Sequence, residues 1–182
     1  MKADPNKVEQ ARKCARDLLE LYAITSAPVP VERIIKKRDI ALQYAPFEED
    51  LSGMAYINDG VAIIGINALH HPNRQRFSAA HELGHHLLHA DLLRDAVHVD
   101  RGIRVMLRDE VSSQGVDENE VMANTFAAEL LMPRMLLAKA MGEGEIDIED
   151  DTQIEAIAKK FRVSAAAMRF RLIGLMSQND LT

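Results

Sequence analysis

Five residues near the middle of the chain, His81-Glu82-Leu83-Gly84-His85, constrain its fold more than any other stretch. They form the pattern H-E-x-x-H inside an apolar, helix-like run over 77–90. Residues four apart lie on one face of a helix, about 5–6 Å apart at Cβ. Two imidazoles at that spacing can bind one metal ion, each at about 2.0–2.1 Å. We therefore predict a helix that carries two ligands of a metal site.

The glutamate of the pattern has a separate place on that helix. Glu82 is rotated by roughly 100° from His81 about the helix axis, which places its carboxylate beside the ion and not among the ligands. There it can act as a general base, taking a proton from a metal-bound water that attacks a carbonyl. This arrangement is typical of metallopeptidases. Because so short a pattern also arises by chance, the rest of the chain must supply a third ligand and a substrate-binding edge.

The third ligand has more than one candidate. His89 follows the motif by four residues, but eight residues of straight helix separate it from His81 by roughly 12 Å, so we expect a packing or supporting role for it. A carboxylate from a second helix is the better candidate. Glu120 and Glu129 lie in an alanine-rich helical segment and point about 180° apart, so only one of them can face the metal. Periodicity does not decide between them, and Glu118 is a weaker third choice.

A small sheet is predicted ahead of the motif helix. Two apolar runs, 54–57 and 61–66, flank Asp59-Gly60, which is a strong hairpin signal. A looser alternation over 40–47 indicates a further strand. We expect a small antiparallel β-sheet whose exposed edge could bind an extended peptide as an added strand. Tyr56 on the hairpin is a candidate donor to the oxyanion of a peptidase reaction.

The remaining segments divide the chain into three predicted parts: a domain over 1–142 that contains the sheet and both site helices, an acidic loop over 143–151, and two helices over 152–182. The last unit has the outline of a helix-turn-helix, which we expect to pack on the first domain. The fold class is therefore α+β. Between the site helices, 91–117 reads as a polar, irregular connection, with a short apolar strand at 103–107 and Asp117 capping the next helix. His98 lies in this connection, and no motif ties it to the site.

Composition indicates a globular protein of the cell interior. Hydrophobic residues make up 47% of the chain, charged residues 27%, and the net charge of −6 gives no general attraction for nucleic acid. Cys14 is the single cysteine, which excludes an intrachain disulfide and fits a reducing compartment. The polar N-terminal stretch lacks the apolar region of a signal peptide, so we expect none, and no apolar run is long enough for a transmembrane helix. We expect a cytoplasmic protein with no membrane partner.

The pairing of HELGHHLLH with ExxANxFAAELLMP at 120–133 resembles the ImmA/IrrE family of bacterial metallo-endopeptidases. Similar stretches, such as PVPVERII, RQRFSAAHE and AKKFRVSAAAMRFRL, extend the resemblance over nearly the whole chain. It implies a gluzincin-like site in which His81, His85 and Glu120 bind Zn²⁺ and Glu82 is the general base. It also places Asn124 one turn after Glu120, where it would orient a ligating side chain. Mn²⁺ and Fe²⁺ accept the same ligand types.

The resemblance further implies an endopeptidase that cleaves an intracellular protein, typically a helix-turn-helix (Xre-type) repressor or an antitoxin, and thereby relieves repression, as in stress responses. Two alternatives stay open. The metal site could be structural or inactive in a regulator that binds DNA or a partner protein, although an intact Glu82 favours catalysis. DNA binding would use phosphate contacts from a local excess of cations within 152–177: Lys159, Lys160, Arg162, Arg169 and Arg171.

Overall fold

The computed structural model describes residues 4–100, 118–142 and 147–177, and these contain a four-stranded sheet and the helices packed around it. The chain is α+β, as predicted. The elements in chain order are α1 (Pro5–Leu21), α2 (Val31–Lys37), β1 (Ala41–Ala45), β2 (Gly53–Asn58), β3 (Val61–Asn67), α3 (Pro72–Leu88), α4 (Leu92–Asp95), β4 (His98–Asp100), α5 (Glu118–Leu131), α6 (Arg134–Met141), α7 (Asp151–Phe161) and α8 (Ala165–Met176).

The predicted hairpin is confirmed as β2 and β3, which pair antiparallel through a two-residue turn. Asp59 and Gly60 both have positive φ, +50° and +80°, as the tight hairpin turn requires. The strand order is β1-β3-β2-β4, so the hairpin forms the middle of the sheet. β4 pairs antiparallel with β2 and forms one edge.

A small antiparallel sheet was predicted, and the sheet is mixed because of β1. β1 pairs parallel with β3, with Ala45 opposite Asn67. The connection over 46–52 crosses the end of β3 before β2 begins, so β1 and β3 run in the same direction. Asn67 is fully buried there, and its side-chain amide donates to the carbonyls of Glu48 and Leu51. An alternating pattern shows that a segment is a strand but does not choose its neighbour, which is why the direction was missed.

Helices α3 and α5 lie against each other at short range because small residues face one another. A Cβ placed on Gly84 of α3 would be 3.0 Å from Phe126 Cδ1 and 3.3 Å from Ala123 Cα, both on α5. Ala123, Phe126 and Ala127 are fully buried at this contact. The alanine-rich helix that carries Glu120 therefore packs closely on the motif helix. This contact sets the distance between the histidines of α3 and the carboxylates of α5.

The C-terminal helices share the main buried cluster. Ser164 caps α8 by accepting from the backbone N–H of Ala167, and Asp150 caps α7. The buried apolar residues of both helices pack in one cluster with α1, α3 and α5. Their buried members are Ile154, Ile157, Ala158, Phe161, Met168, Leu172 and Leu175. The division into 1–142, 143–151 and 152–182 stays a prediction.

The connection after α3 differs from its prediction. Residues 92–95 and 98–100 form α4 and β4, where an irregular segment was expected. The predicted strand at 103–107, the Asp117 cap and residues 143–146 of the acidic loop lie outside the described residues. Within the described ranges, the structure contains no helix whose length and apolar character would let it cross a membrane.

Candidate metal centre

The centre of the site is the buried middle of α3. This helix lies between the sheet and α5, and every residue from Arg76 to His86 is buried. His81 and His85 are each only 2% exposed, and Glu82 is fully buried. Three ionisable side chains in such an interior need partners, since an unpaired buried polar group is costly.

Four side chains from three elements bring their nitrogen and oxygen atoms together. His81 Nε2 and His85 Nε2 are 3.0 Å apart, and Glu120 of α5 lies 3.4 Å from His81 Nε2 and 3.3 Å from His85 Nε2. The fourth member is His98 of β4, whose Nε2 lies 3.5 Å from Glu120 Oε1. All four ligand atoms lie within 4.8 Å of one another.

These distances fit a divalent metal. Ligands about 2.0–2.1 Å from a tetrahedral zinc lie roughly 3.3–3.4 Å from each other, close to the separations found here. His98 Nε2 is buried with no hydrogen-bond partner among the described residues, and so are both carboxylate oxygens of Glu82. Imidazole nitrogens and one carboxylate are a normal donor set for zinc. The chain thus has a His/Glu cluster that could bind a metal.

The pKa values of His81 and Glu120 are both shifted by the contact between the two side chains. Burial lowers the pKa of His81, but the contact with Glu120 and the charges of Glu82 and Asp100 outweigh burial and raise that pKa to about 9. Burial raises the pKa of Glu120, whereas its contacts with His81 and His85 hold it far below the usual range. A cation is therefore favoured at this position, and a divalent metal would replace the proton.

Glu82 lies beside this cluster, under the sheet. Burial, together with the charges of Asp100 and Glu120, raises the pKa of Glu82 to about 8, against the opposing effect of His81. Gly53 of β2 covers the carboxylate so closely that a Cβ there would be 2.8 Å from Glu82 Oε1. The carboxyl group is thus held in a dry position with a pKa near neutrality.

Asn124 and His89, both proposed from the sequence, contact the Nδ1 atoms of His81 and His85. His81 Nδ1 lies 3.0 Å from Asn124 Oδ1, so the ring donates through Nδ1 and presents Nε2 to the cluster. His89 Nδ1 lies 3.3 Å from His85 Nδ1, and His85 Nε2 faces Glu120. Both contacts hold a histidine ring of the cluster in place, as a partner of a metal-binding histidine would.

Two other residues that the sequence offered for the site, Tyr56 as an oxyanion donor and Glu129 as a third ligand, lie away from the cluster. Tyr56 alternates with Gly53 and Ala55 on β2, so its side chain points to the opposite face of the sheet from Glu82. Glu129 lies on another face of α5, where it forms an ion pair with Arg171 of α8. Among the described residues, neither joins a metal-binding group.

Further side chains that the sequence left unassigned also have structural places. His86 Nε2 donates to the Ile63 carbonyl at 3.0 Å, and burial lowers the pKa of this ring. Glu118 pairs with Lys7 at the surface. Cys14 packs beside the core on α1, where burial raises the pKa of its thiol.

The sequence analysis did not predict that His98 lies in the site. The pattern Val97-His98-Val99-Asp100 is a short alternation that places His98 and Asp100 on one face of a strand. That signal could have predicted β4, but its pairing with β2 is non-local, and nothing in the local pattern brings the ring to α3. Burial, followed by the neighbouring His85, lowers the pKa of His98 to about 4, so the ring is neutral and can act as a ligand.

Known proteins match the chain at the level of family and fold. A family model of peptidases, described as the IrrE N-terminal-like domain, matches residues 35–173. No curated protein matches the chain. A solved Mycobacterium tuberculosis transcriptional regulator is similar over 88% of this chain and 45% of its own, with 15% identity and a TM-score of 0.55. That likeness shows a shared fold alone, and this chain spans less than half of that protein's length.

Proposed function

The chain belongs to the peptidase family described as the IrrE N-terminal-like domain, and from this premise we propose that it is a zinc-dependent endopeptidase that cleaves an intracellular protein. One observation carries the proposal. Glu120 of α5 meets both histidines of the α3 motif within 3.4 Å, while the buried Glu82 lies beside them. A structural zinc site would have no use for an extra buried carboxylate next to its ligands.

His81, His85 and Glu120 would hold the metal. Asn124 and His89 would fix the orientation of the two rings through their contacts at Nδ1. When bound, a divalent metal would polarise the scissile carbonyl and acidify water. Mn²⁺ would accept the same ligands.

Glu82 would move the protons of the reaction. Its carboxylate would take a proton from the attacking water and then deliver it to the leaving amine nitrogen as the C–N bond breaks. A pKa raised to about 8 lets the group hold and release a proton near neutral pH. A neighbouring cation would lower that pKa and keep Glu82 ionised as a base before the attack. Tyr56 points to the other face of β2, and we give it no part in the reaction.

The substrate we propose is a helix-turn-helix repressor or antitoxin, whose cleavage would relieve repression. This identification rests on the resemblance of the paired motifs to the ImmA/IrrE family. Cleavage needs an extended segment of substrate beside Glu82, and the side of β2 that β4 occupies in this structure has the backbone groups with which such a segment would pair.

The test combines purified protein, zinc and the helix-turn-helix regulator encoded beside it. The wild type should cut the regulator, and Glu82→Gln should bind zinc but lose cleavage by several orders of magnitude. Glu118→Gln is the matched control, since this carboxylate pairs with Lys7 at the surface, two residues from Glu120. Cleavage that persists in Glu82→Gln would exclude the proposed mechanism.

Direct DNA binding by the C-terminal helices is less well supported. Two of the five cations there are engaged internally: Arg169 with Asp151, and Arg171 with Glu129. The exposed large side chains of α8 are apolar, namely Phe170, Ile173 and Met176. A helix that reads DNA presents polar and basic groups on its outer face. If the regulator formed a stable complex with the protein but was not cleaved, that result would favour the partner-binding alternative.

A further inference from the structure

β4 lies where an extended peptide would have to bind. It pairs antiparallel with β2, with Asp100 opposite Gly53 and His98 opposite Ala55. Ser52 donates its backbone N–H to the Asp100 carbonyl at 2.8 Å and extends the pairing. Gly53 is the residue that covers Glu82, so this edge of β2 is the part of the sheet next to the general base.

Two side chains of β4 face the site: Asp100 lies with His81 and Glu82, and His98 joins the cluster of His81, His85 and Glu120. Its Nε2 is 3.5 Å from Glu120 Oε1 and 4.0 Å from Glu82 Oε2. Its ring centroid lies 3.8 Å from that of His85. The Nε2 atom is buried and makes no hydrogen bond to any described residue, although it is surrounded by ligand atoms.

A catalytic zinc site keeps three protein ligands and one open position, whereas a site with four protein ligands is closed. His98 is the fourth ligand atom of this cluster. It lies on the side where Glu82 faces the ligands, which is where an attacking water must bind. With β4 in place, both the open position and the peptide-binding edge are taken by the chain itself.

We propose that β4 is a built-in inhibitory strand: His98 ligates the metal in the fourth position, and a substrate peptide must displace β4 from β2 before cleavage. This inference rests on the proposed peptidase function and adds its regulation. Within the part of the chain that the structure describes, β4 pairs with β2 at three positions, a short contact that suits the strand to displacement. Val97 and Val99 beside and within it remain 54% and 41% exposed, so little apolar burial holds it.

The first experiment tests whether His98 binds the metal, and its measurements do not depend on peptidase activity. Zinc affinity should fall at least about tenfold in His98→Ala, because a ligand is lost. The visible spectrum of the Co²⁺-loaded wild type should be unchanged by azide, whereas that of His98→Ala should shift as azide occupies the freed position. Val97→Thr is the control and should behave as the wild type in both measurements. Equal zinc affinities, or an azide shift already present in the wild type, would overturn His98 ligation.

The second experiment fixes β4 to β2 with a disulfide bond. Met54 and Val99 are paired across β2 and β4, on the face of the sheet opposite Gly53. Cysteines at these positions, in a Cys14→Ser background, lie within disulfide range for directly opposed strand residues. The oxidised form should not cleave the regulator and reduction should restore cleavage, while His98→Ala at saturating zinc should cleave several-fold faster than the wild type. An oxidised form that cleaves as fast as the reduced one would refute the inhibitory role.

The two experiments separate this inference from the function on which it rests. If no variant cleaves any regulator while Glu82 is intact, the peptidase proposal fails, and the zinc and cobalt measurements still decide whether His98 is a ligand.

Discussion

At the scale of single residues, the position of the Glu82 carboxylate depends on the absence of a side chain at Gly53. A Cβ there would be 2.8 Å from Glu82 Oε1 and 3.1 Å from Glu82 Cγ. Since the most obstructed atom is a carboxylate oxygen at the end of a flexible side chain, Gly53→Ala should leave the fold intact and move the carboxylate. A displacement of about 1 Å at a catalytic group costs on the order of 10²-fold in rate.

We therefore expect kcat/KM on the regulator to fall by roughly 10²-fold in Gly53→Ala, with an unchanged circular dichroism spectrum and zinc affinity. Gly174→Ala is the matched control, because a Cβ at Gly174 would meet nothing within 4 Å. Full activity in Gly53→Ala would mean that Glu82 tolerates a shift, which a general base in this position should not.

The residues of the site differ in how far the sequence determines them. His81 and His85 are placed by helix geometry alone, since a spacing of four gives one face. Glu120 and Glu129 are equivalent to any argument from periodicity, and only the family resemblance chose Glu120. The structure brings Glu120 to the histidines and pairs Glu129 with Arg171. His98 was out of reach, because it enters the site through a three-residue strand that pairs with β2.

At the scale of secondary-structure elements, the site depends on the close approach of α3 and α5. Gly84 has the Ala123 backbone 3.3 Å and Phe126 3.0 Å from where its Cβ would be, so a larger residue must push the helices apart. Gly84→Val should cost about 1–3 kcal/mol in the free energy of unfolding, as overpacked cores do. Gly84→Ala should cost less, since a helix gains roughly 1 kcal/mol from alanine over glycine.

The measurement is denaturant unfolding of both variants without metal, followed by zinc titration. Because Glu120 moves with α5, zinc affinity should fall from wild type through Gly84→Ala to Gly84→Val. An affinity that stays constant while stability falls would show that the ligand spacing is set by some other contact.

The elements themselves were predictable to different degrees for physical reasons. The hairpin of β2 and β3 and the Ser164 cap of α8 follow from local chemistry, and both are found where the sequence places them. The parallel pairing of β1 with β3 and the edge strand β4 depend on contacts between distant segments. Local alternation carries no information on such partners.

At the scale of the whole molecule, the two glutamates of α5 connect the site to the fold in opposite ways. Glu120 faces the histidines, whereas Glu129 forms an ion pair with Arg171, and the two side chains of that pair are 5% and 9% exposed. Arg171 also donates to the Met132 carbonyl at 3.1 Å, so this pair joins α8 to the end of α5. One carboxylate should therefore affect metal binding and the other should affect global stability.

Matched alanine variants separate these roles. A metal that binds the folded state alone adds about 2.7 kcal/mol to the free energy of unfolding when present at about 100 times its Kd. The wild type should show this zinc-dependent gain in denaturant unfolding, and Glu120→Ala should lose most of it. Glu129→Ala should keep the gain, but its stability without metal should be lower by about 3–5 kcal/mol, because Arg171 is left buried without its carboxylate. If Glu129→Ala lost the zinc-dependent gain and Glu120→Ala kept it, Glu129 would be the ligand and the site built on Glu120 would be wrong.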